Sequence, residues 1–377
     1  MMRKICYVVT IPLTIRSFFI PQLQYLSEHG FDVSVICSDD GKIQSELGTT
    51  IHYIPVEIPR GISIGGSIKA IKNLKDIFKR ERFDLIQYST PNAALYASIA
   101  AKQVGCSVRN YHLMGLRYLG ATGIGRKVLK EIETIACRNS TSIECVSKSN
   151  LCMGIEEGLF SKEKATVVWN GSSGGVDLKR FDFTKRCEWR KKVRSQLGYS
   201  DSDFIYGFVG RITRDKGINE LLEAFGSLEN SSKLLLIGPM EGMKTLNKNY
   251  LNEAKKNKNI IFHDVVTDIE RYYAAIDVLV LPSYREGFGN VVIEAAAVGT
   301  PAIVSNIPGP IDTIIQDRTA LTVSVKDVED LRRKMELIHL QDYKQIGKDA
   351  FAYVAGSFDS EKLNAYILNR KEMLLQK

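Results

Sequence analysis

Short apolar runs alternate with longer segments of helical periodicity along almost the whole chain. Twelve runs rich in Val, Ile and Leu predict β-strands, at residues 5–9, 32–37, 52–56, 85–88, 108–111, 142–146, 204–209, 234–237, 260–262, 278–281, 302–304 and 321–323. Segments that predict amphipathic helices lie between them, at residues 17–28, 68–80, 93–103, 126–138, 218–225, 247–255, 291–297 and 328–338. This alternation predicts an α/β fold, in which helices cover both faces of parallel sheets.

The periodicity is lost at residues 169–177, which read WNGSSGGVD and contain three glycines and two serines. Such a stretch is typical of a linker, so we expect two doubly wound, Rossmann-like domains at residues 1–175 and 176–356. Residues 357–377 predict an isolated helix that packs back on the first domain. Sheets of this kind bind ligands at the carboxyl ends of their strands. Two such domains facing each other would form a cleft, with a nucleotide-linked donor on one wall and an acceptor on the other.

Positive charge is concentrated in one region of the 377-residue chain, whose net charge is +8. Thirteen basic and three acidic residues lie between Arg60 and Lys130, which gives a local net charge of +10. Such an excess attracts anions, for example phosphorylated substrates, nucleic acid or an anionic membrane surface. A solvated basic face without a specific partner explains the same count.

Composition and residue spacing exclude several classes of protein. A content of 44% hydrophobic and 25% charged residues excludes a disordered or fibrous chain. No apolar run approaches the ~20 residues that a membrane-spanning helix needs, and the basic start of the chain lacks a signal-peptide cleavage site. Seven scattered cysteines and five dispersed histidines argue against disulfides and a metal centre. We therefore expect a cytoplasmic protein, at most attached to a membrane surface, with no bound metal.

Residues 210–217 (GRITRDKG) follow a predicted strand and precede a predicted helix. Gly210 and Gly217 permit a tight turn and a close backbone approach. Arg211 and Lys216 can reach the same anion, and the N-terminus of the helix adds amide donors and a favourable dipole. The loop is thus equipped to bind a diphosphate, although a basic surface loop would show the same spacing.

A second loop lies within residues 281–295 (LPSYREGFGNVVIEA), again between a predicted strand and a predicted helix. Glu286 stands at the carboxyl end of the strand, and Glu294 stands about one turn into the helix, for which Asn290 is the predicted N-cap. The loop glycines let backbone amides bind phosphate or sugar oxygens, and the two carboxylates can accept hydrogen bonds from sugar and ribose hydroxyls. Neither the P-loop pattern nor the G-x-G-x-x-G fingerprint occurs.

Together the two loops resemble the signature of the retaining glycosyltransferases of the GT-B fold, specifically glycosyltransferase family 4. Glu286 and Glu294 match the family's Glu-x7-Glu motif. The resemblance covers nearly the whole chain, because residues 170–181, 272–283 and 299–312 also fit the family pattern. The chain is most similar to bacterial transferases of capsule, O-antigen and protein-glycan assembly.

The resemblance implies roles for the residues of the second, donor-binding domain. Arg211 and Lys216 would hold the donor's diphosphate and stabilise the charge that develops on it as it leaves. Glu294 would bind the ribose hydroxyls, and Glu286 would bind the donor sugar. The remaining donor-binding positions that the resemblance implies are Gly210, Phe288, Gly289 and Asn290.

The family also implies how the reaction runs. The acceptor attacks on the face from which the diphosphate departs, and a phosphate oxygen takes the acceptor's proton. No metal and no cofactor are expected, because the nucleotide sugar is itself a substrate. The expected donor is a UDP-linked sugar such as an N-acetylhexosamine.

Candidates on the acceptor side lie in the first domain. Many family members carry His-Gly where this chain has Met114 and Gly115. His112 lies two positions before Met114, and Arg117 lies two positions after Gly115, so both are candidates. Two residues along a strand keep the same face but move ~7 Å, which leaves open whether His112 replaces the family's histidine. The family's Gly-rich loop is also missing, since residues 10–15 (TIPLTI) contain no glycine.

The resemblance implies a candidate partner for the basic region between Arg60 and Lys130. A lipid-diphosphate acceptor is anionic and lies at the inner membrane face. Residues 68–80 can place Ile71, Leu74 and Phe78 on one helix face beside lysines, as in an interfacial helix. A surface helix packed on its own sheet would show the same face. The expected partners are a nucleotide-sugar donor, a lipid-linked glycan acceptor and the cytoplasmic side of the inner membrane, without nucleic acid.

Three functions are compatible with these features. The leading hypothesis is a retaining glycosyltransferase of bacterial surface-polysaccharide synthesis. A nucleotide-sugar epimerase of the same architecture would convert the donor without any acceptor. A non-catalytic protein on a transferase fold would bind membranes or polyanions in a salt-sensitive way and would not bind the donor.

Overall fold

The computed structural model describes residues 2–61, 64–229, 231–240 and 243–376, which form two compact units. Unit 1 consists of the residues up to Gly174 together with those from Glu361 onward, and unit 2 runs from Gly175 to Ser360. The division falls inside the segment WNGSSGGVD, one residue before the end expected for the first domain.

Unit 1 contains a seven-stranded sheet of order β3-β2-β1-β4-β5-β6-β7, in which all neighbours are parallel. Its strands are β1 (Arg3–Val8), β2 (Phe31–Cys37), β3 (Ile51–Pro55), β4 (Leu85–Ser89), β5 (Val108–Leu113), β6 (Ser142–Cys145) and β7 (Ala165–Val167). Its helices are α1 (Pro12–Phe18), α2 (Ile20–Glu28), α3 (Ile43–Leu47), α4 (Ile64–Glu81), α5 (Pro91–Gln103), α6 (Gly123–Asn139) and α7 (Lys148–Glu156).

Both faces of this sheet are buried, because successive side chains of a strand point to opposite sides. In β1, Cys6 and Val8 belong to the core shared with α4, α5 and α6. Ile5 and Tyr7 belong to the core shared with α1 and α2. Burial on both faces explains why the strands read as continuous apolar runs.

Unit 2 contains a six-stranded parallel sheet of order β10-β9-β8-β11-β12-β13. Its strands are β8 (Ile205–Val209), β9 (Lys233–Ile237), β10 (Ile260–His263), β11 (Val278–Leu281), β12 (Ala302–Ser305) and β13 (Ala320–Val323). Its helices are α8 (Arg186–Leu197), α9 (Ile218–Gly226), α10 (Lys248–Lys256), α11 (Ile269–Ala275), α12 (Asn290–Ala297), α13 (Val328–Leu340) and α14 (Tyr343–Ser357). The strand order reverses between β8 and β11, the place where such sheets bind ligands.

The last helix, α15 (Ser360–Leu375), packs on unit 1. The ring of Tyr366 stacks on that of Trp169, with centroids 5.5 Å apart. Lys371 Nζ donates to Glu144 Oε2 at 2.7 Å, inside the unit. The C-terminal helix is therefore part of the first unit's core and is not a separate appendage.

The predicted α/β fold with two parallel sheets is confirmed, and each predicted strand is present to within two residues. The pattern missed the short strand β7 and several helices, among them α7, α8, α11 and α14. The single helix predicted at residues 17–28 is wrong, because α1 ends at Phe18 and α2 begins at Ile20. Pro21 has no N–H to donate to the carbonyl of Ser17, so a continuous helix would lack that hydrogen bond.

Helix α4 carries the amphipathic face predicted at residues 68–80, and that face lies in the core of unit 1. Ala70, Leu74 and Phe78 are at most 2% exposed and cluster with residues of α5 and α6. Lys69 and Lys72 are exposed. The interfacial-helix interpretation of this apolar face is therefore wrong, because the face covers the helix's own sheet. None of the described helices is long and apolar enough to cross a membrane.

Candidate functional site

Two loops meet at the carboxyl ends of neighbouring strands in unit 2. The Lys216 loop (residues 210–217) follows β8, and the Glu286 loop (residues 282–289) follows β11. The two strands are adjacent and parallel, with Tyr206 opposite Val278. Their loops therefore leave the same edge of the sheet, where the strand order reverses.

Gly217 allows the two loops to approach closely. Its φ is +72°, and a Cβ at this position would lie 2.1 Å from the carbonyl oxygen of Pro282. A backbone hydrogen bond from Tyr284 N to Asp215 O, 2.9 Å long, joins the loops beside this contact. A residue with a side chain would be strained by its backbone angle and would push the loops apart.

Lys216 and Glu286, both predicted as catalytic, form an ion pair across the two loops. Lys216 Nζ lies 2.5 Å from Glu286 Oε1, and Ser283 Oγ donates to the same oxygen at 2.8 Å. The side chains of Lys216 and Glu286 are 18% and 14% exposed. Partial burial strengthens this contact relative to a surface pair, so a cation and a carboxylate are held at a defined position near solvent.

A second charged cluster surrounds Asp215, which the sequence analysis did not single out. Arg285 lies 3.2 Å from Asp215 Oδ2, Arg211 lies 3.8 Å from it, and Thr213 Oγ1 donates to Oδ1 at 2.6 Å. Partial burial opposes ionisation, but the hydrogen bond from Thr213 and the nearby cations lower the pKa of Asp215 below its ordinary value. Asp215 thus lies between Arg211, the predicted diphosphate ligand, and Arg285, for which the sequence predicted no role.

The Glu286 loop leads into α12 differently from the prediction. The N-cap is Gly289, with φ +99°, and Asn290 is the first helical residue, so the predicted N-cap at Asn290 is wrong. A glycine fits here because its φ lies in the left-handed region. Phe288 is 5% exposed and packs edge-on against Phe358, so its side chain anchors the loop in the core.

Glu294 lies on α12 and is paired separately from the Lys216–Glu286 pair. Tyr273 OH donates to Glu294 Oε2 at 2.9 Å. Burial raises the pKa of Glu294 above its ordinary value, while the Tyr273 hydroxyl and the charge of Arg180 oppose this shift. Tyr273 lies in the segment 272–283 that fits the family pattern, but no role was predicted for it, because its contact with Glu294 depends on the packing of α11 against α12.

Gly210 connects β8 to the end of a third strand. Its N–H donates to Ile237 O at 3.0 Å, and a Cβ on Gly238 would lie 2.1 Å from the Gly210 oxygen. The turn at Gly210 therefore needs a glycine at the end of β9 as well. Gly238 is a further position that the sequence analysis did not name.

The two acceptor-side candidates in unit 1 have different environments. His112 is buried at the end of β5, where its Nε2 lies 3.2 Å from Ser173 Oγ and its ring packs edge-on against Phe19. Burial lowers the pKa of His112 to about 4, so the ring is neutral near pH 7. Arg117 is exposed in a short 3-10 turn. Their roles toward the acceptor stay predictions.

Among the residues that the structure describes, no three His, Cys, Asp or Glu side chains are grouped closely enough to hold a metal ion. The metal independence of the reaction and the lack of a cofactor stay predictions.

Two family models match the chain in the regions that contain these residues. The model "Glycosyl transferase 4-like" matches residues 4–147, and "Glycosyl transferases group 1" matches residues 190–351, which include both loops. The chain is also 30% identical over 364 residues to the capsular polysaccharide biosynthesis glycosyltransferase CapM of Staphylococcus aureus. That match covers 95% of this chain and 94% of CapM.

This chain belongs to glycosyltransferase family 4. Another relative is the Escherichia coli UDP-Gal:alpha-D-GlcNAc-diphosphoundecaprenol alpha-1,3-galactosyltransferase, which is 25% identical over 338 residues, 86% of this chain and 85% of that enzyme. The structure of Anabaena Alr3699/HepE in complex with UDP superposes with a TM-score of 0.79 at 18% identity, over 98% of this chain and all of that one. This likeness shows the GT-B fold, as the sequence resemblance predicted.

Proposed function

We propose that this family 4 glycosyltransferase transfers a sugar, with retention of configuration, from a UDP-sugar to a lipid-linked glycan precursor. The product would enter a bacterial capsule or O-antigen. CapM supports the polysaccharide assignment, and the E. coli relative, whose name gives UDP-Gal as donor and a diphosphoundecaprenol-linked acceptor, supports the donor and acceptor classes.

The observation that carries the proposal is the Lys216–Glu286 ion pair. It lies at the carboxyl ends of β8 and β11, where the strand order of the unit 2 sheet reverses. Lys216 precedes Gly217, the N-cap of α9, so its ammonium group and the helix N-terminus lie on the same loop. A diphosphate at this place would receive charge-assisted hydrogen bonds from Lys216 and Arg211. These contacts strengthen as the leaving diphosphate gains negative charge, and stabilisation of that charge lowers the barrier to transfer.

The carboxylates would orient the rest of the donor. Glu286 is fixed by Lys216 and Ser283, so it can accept hydrogen bonds from hydroxyls of the donor sugar in a set position. Glu294 is held by Tyr273 and would accept hydrogen bonds from the ribose. In this scheme neither carboxylate forms a bond to the sugar, which is consistent with same-face attack and with proton transfer to a phosphate oxygen.

In this proposal, exposed residues of unit 1 contact the acceptor and the membrane. The apolar face of α4 is buried, but among the residues whose burial the structure describes, Ile68 of α4 and Ile124 and Val128 of α6 are exposed. Lys69, Lys72 and Lys127 are exposed on the same two helices. Exposed apolar groups beside lysines suit a surface of anionic lipid, and we place the membrane contact there.

Substitution of the ion pair tests the catalytic part of the proposal. Lys216→Gln and Glu286→Gln should each lower kcat for transfer by about 10²–10³-fold, as expected when one preorganised polar contact to the transition state is lost. Lys255→Gln, an exposed lysine of the same unit, serves as the matched control. Thermal unfolding of the variants should show that both units remain folded. Full activity of both site variants would contradict the proposal.

Incubation of the donor alone distinguishes the two other functions. An epimerase would release an altered nucleotide sugar without acceptor, whereas the proposed transferase leaves the sugar unchanged. A non-catalytic protein would bind vesicles in a salt-sensitive way and would gain no thermal stability from a UDP-sugar. The proposed transferase should gain about 2.7 kcal/mol of apparent stability when the UDP-sugar is present at 100 times its dissociation constant.

A further inference from the structure

A pocket of about 390 Å³ lies at the amino ends of β11 and β12, on the opposite edge of the unit 2 sheet from the Glu286 loop. It is formed between the first turns of α8 and α14. The residues that line it are Phe183, Arg186, Cys187, Arg190, Asp277, Gly299, Tyr343, Lys344 and Lys348. None of them belongs to the donor-binding residues described above, so the function of the pocket is unassigned.

Positive charge exceeds negative charge in the lining of this pocket. Two arginines and two lysines face a single carboxylate, that of Asp277. Asp277 already accepts from Arg190 at 2.6 Å, from the buried Arg194 at 2.7 Å and from the backbone N–H of Ile205 at 2.8 Å. Its two oxygens are thus engaged and cannot neutralise the remaining cations.

Arg186 is a cation of this pocket whose hydrogen bonds go to neutral oxygens. Its Nη1 donates to Val298 O and to Thr300 Oγ1, both at 2.6 Å, and no carboxylate pairs with it in the described part of the chain. Burial, together with repulsion from Arg190, lowers the pKa of Arg186 to about 10, although the charge of Asp277 opposes this shift. The guanidinium is therefore held rigidly by neutral acceptors at an energetic cost that an anion in the pocket would offset.

The walls of the pocket are rigid and partly apolar. The ring of Phe183 stacks on Phe351 at a centroid distance of 4.4 Å, and a Cβ on Gly299 would lie 2.4 Å from Phe183. Tyr343 packs edge-on against Phe204. A preformed, partly apolar pocket of this volume with a few fixed polar groups is typical of a small-molecule site.

We propose that this pocket is a second ligand site, which binds a small molecule through a phosphate group. Arginine is suited to phosphate because its planar guanidinium presents several N–H donors in a fixed arrangement. Lys344 and Lys348 are exposed at the rim and would contact the same group from the solvent side. The proposal is independent of the proposed transfer reaction, because strands β11 and β12 separate the pocket from the Glu286 loop.

Alkylation of Cys187, an exposed thiol in the pocket wall, measures occupancy directly. Cys152 is the other exposed cysteine, so the experiment uses the full chain with Cys152→Ser. Inorganic pyrophosphate is the probe, added at constant ionic strength in a buffer without phosphate. At ten times its dissociation constant, the alkylation rate of Cys187 should fall about tenfold, since only the unoccupied fraction reacts.

Charge reversal at the rim tests the site itself. The double variant Lys344→Glu/Lys348→Glu should bind pyrophosphate at least about tenfold more weakly, because it loses charge-assisted contacts. The matched control, Lys255→Glu/Lys256→Glu, makes the same change of charge on exposed lysines of α10 and should protect Cys187 as the parent does. Protection is compared as a ratio within each variant, so a change in basal reactivity does not affect the result.

Three results would overturn the proposal. These are no protection at 10 mM pyrophosphate (about tenfold above a millimolar dissociation constant), equal protection in the rim variant and the control, and protection only by phosphatidylglycerol vesicles. The last would assign the pocket to a lipid headgroup. In Lys216→Gln, protection should persist although transfer is lost. The two proposals can therefore fail independently of each other.

Discussion

Gly217 decides how closely the Lys216 loop approaches the Glu286 loop. Gly217→Ala would place a Cβ 2.1 Å from the oxygen of Pro282 and force an L-residue to a φ of +72°. The backbone strain alone costs about 1–2 kcal/mol. A shift of the loops by about 1 Å would lower kcat/KM for transfer by about 10²-fold. We expect a lower Tm and this loss of activity.

Gly226→Ala is the matched control. Gly226 is the last residue of α9, the helix whose N-cap is Gly217, and a Cβ added at Gly226 would meet nothing within 4 Å. Its Tm should be equal to that of the parent or slightly higher, since Ala favours a helix more than Gly. If the two variants behave alike, the close approach at Gly217 is not what positions the loops.

The hydrogen bond from Tyr273 to Glu294 predicts a pH effect. This hydroxyl stabilises the ionised carboxylate, so Tyr273→Phe should raise the pKa of Glu294 further above its ordinary value. Protonated Glu294 would bind the ribose less well. The acidic limb of the kcat/KM profile should therefore move upward by up to about one pH unit, which corresponds to a hydrogen bond of ~0.5–1.5 kcal/mol.

Tyr272→Phe provides the comparison, because the Tyr272 hydroxyl is 3.3 Å from His263 Nε2 and its partner is not Glu294. Its acidic limb should coincide with that of the parent enzyme. An unshifted limb in Tyr273→Phe would contradict the idea that the ionisation of Glu294 sets the acidic limb.

At the residue scale, the sequence predicted the members of the site but not their partners. Lys216 and Glu286 were identified separately, since a motif names residues on one segment at a time. Their direct pairing depends on β8 and β11 being neighbours, which is a property of strand order. Arg285 stands within the second motif but was not recognised, because its partner Asp215 lies 70 positions earlier.

At the element scale, the sequence predicted the elements that bury apolar residues at regular spacing. The strands were found because both of their faces are buried. Helix α8 was missed because half of its sequence RCEWRKKVRSQL is charged and it buries few apolar side chains, among them Trp189 and Val193. Its stability comes from tertiary contacts such as Arg194 with Asp277, which no periodicity reveals.

Helix α15 is attached to unit 1 by a buried ion pair that was also not predictable. Lys371 is 1% exposed and donates to Glu144 and to Gln87. Lys371→Met would leave the buried Glu144 carboxylate with Arg370, 3.4 Å away, as its remaining charged partner. We expect a loss of about 3–5 kcal/mol in the free energy of unfolding of unit 1.

The fluorescence of Trp169, which stacks on α15, reports urea unfolding of this unit once Trp189 is replaced by Phe. The double variant Lys371→Met/Glu144→Gln should be more stable than Lys371→Met, because it removes the buried carboxylate charge that has lost Lys371 as a partner. Lys362→Met, on the exposed part of the same helix, should have little effect. If the effects of Lys371→Met and Glu144→Gln on the free energy of unfolding simply add in the double variant, the two residues are not coupled. That result would contradict the role of this ion pair in attaching α15.

At the scale of the whole molecule, the uneven charge distribution acquires a structural meaning. The +10 region between Arg60 and Lys130 lies entirely in unit 1 and includes α4, α5 and the first turns of α6. Some of this charge is neutralised locally, since Arg126 and Lys130 both pair with Glu157. The lysines of α4 remain exposed or half-buried. They are the groups that would attract an anionic surface.

Reversal of these charges should separate membrane binding from catalysis. Lys69→Glu/Lys72→Glu/Lys75→Glu should lower partitioning to phosphatidylglycerol vesicles by at least about 10²-fold, given ~1 kcal/mol per lysine near an anionic surface. Transfer to a lipid-linked acceptor in vesicles should fall in parallel. Transfer to a short-chain acceptor in solution should not change, because the Lys216 and Glu286 loops belong to unit 2.

Lys248→Glu/Lys255→Glu/Lys256→Glu makes the same change of charge on α10 and should retain vesicle binding. Equal losses in both triple variants would attribute the effect to net charge and not to this surface.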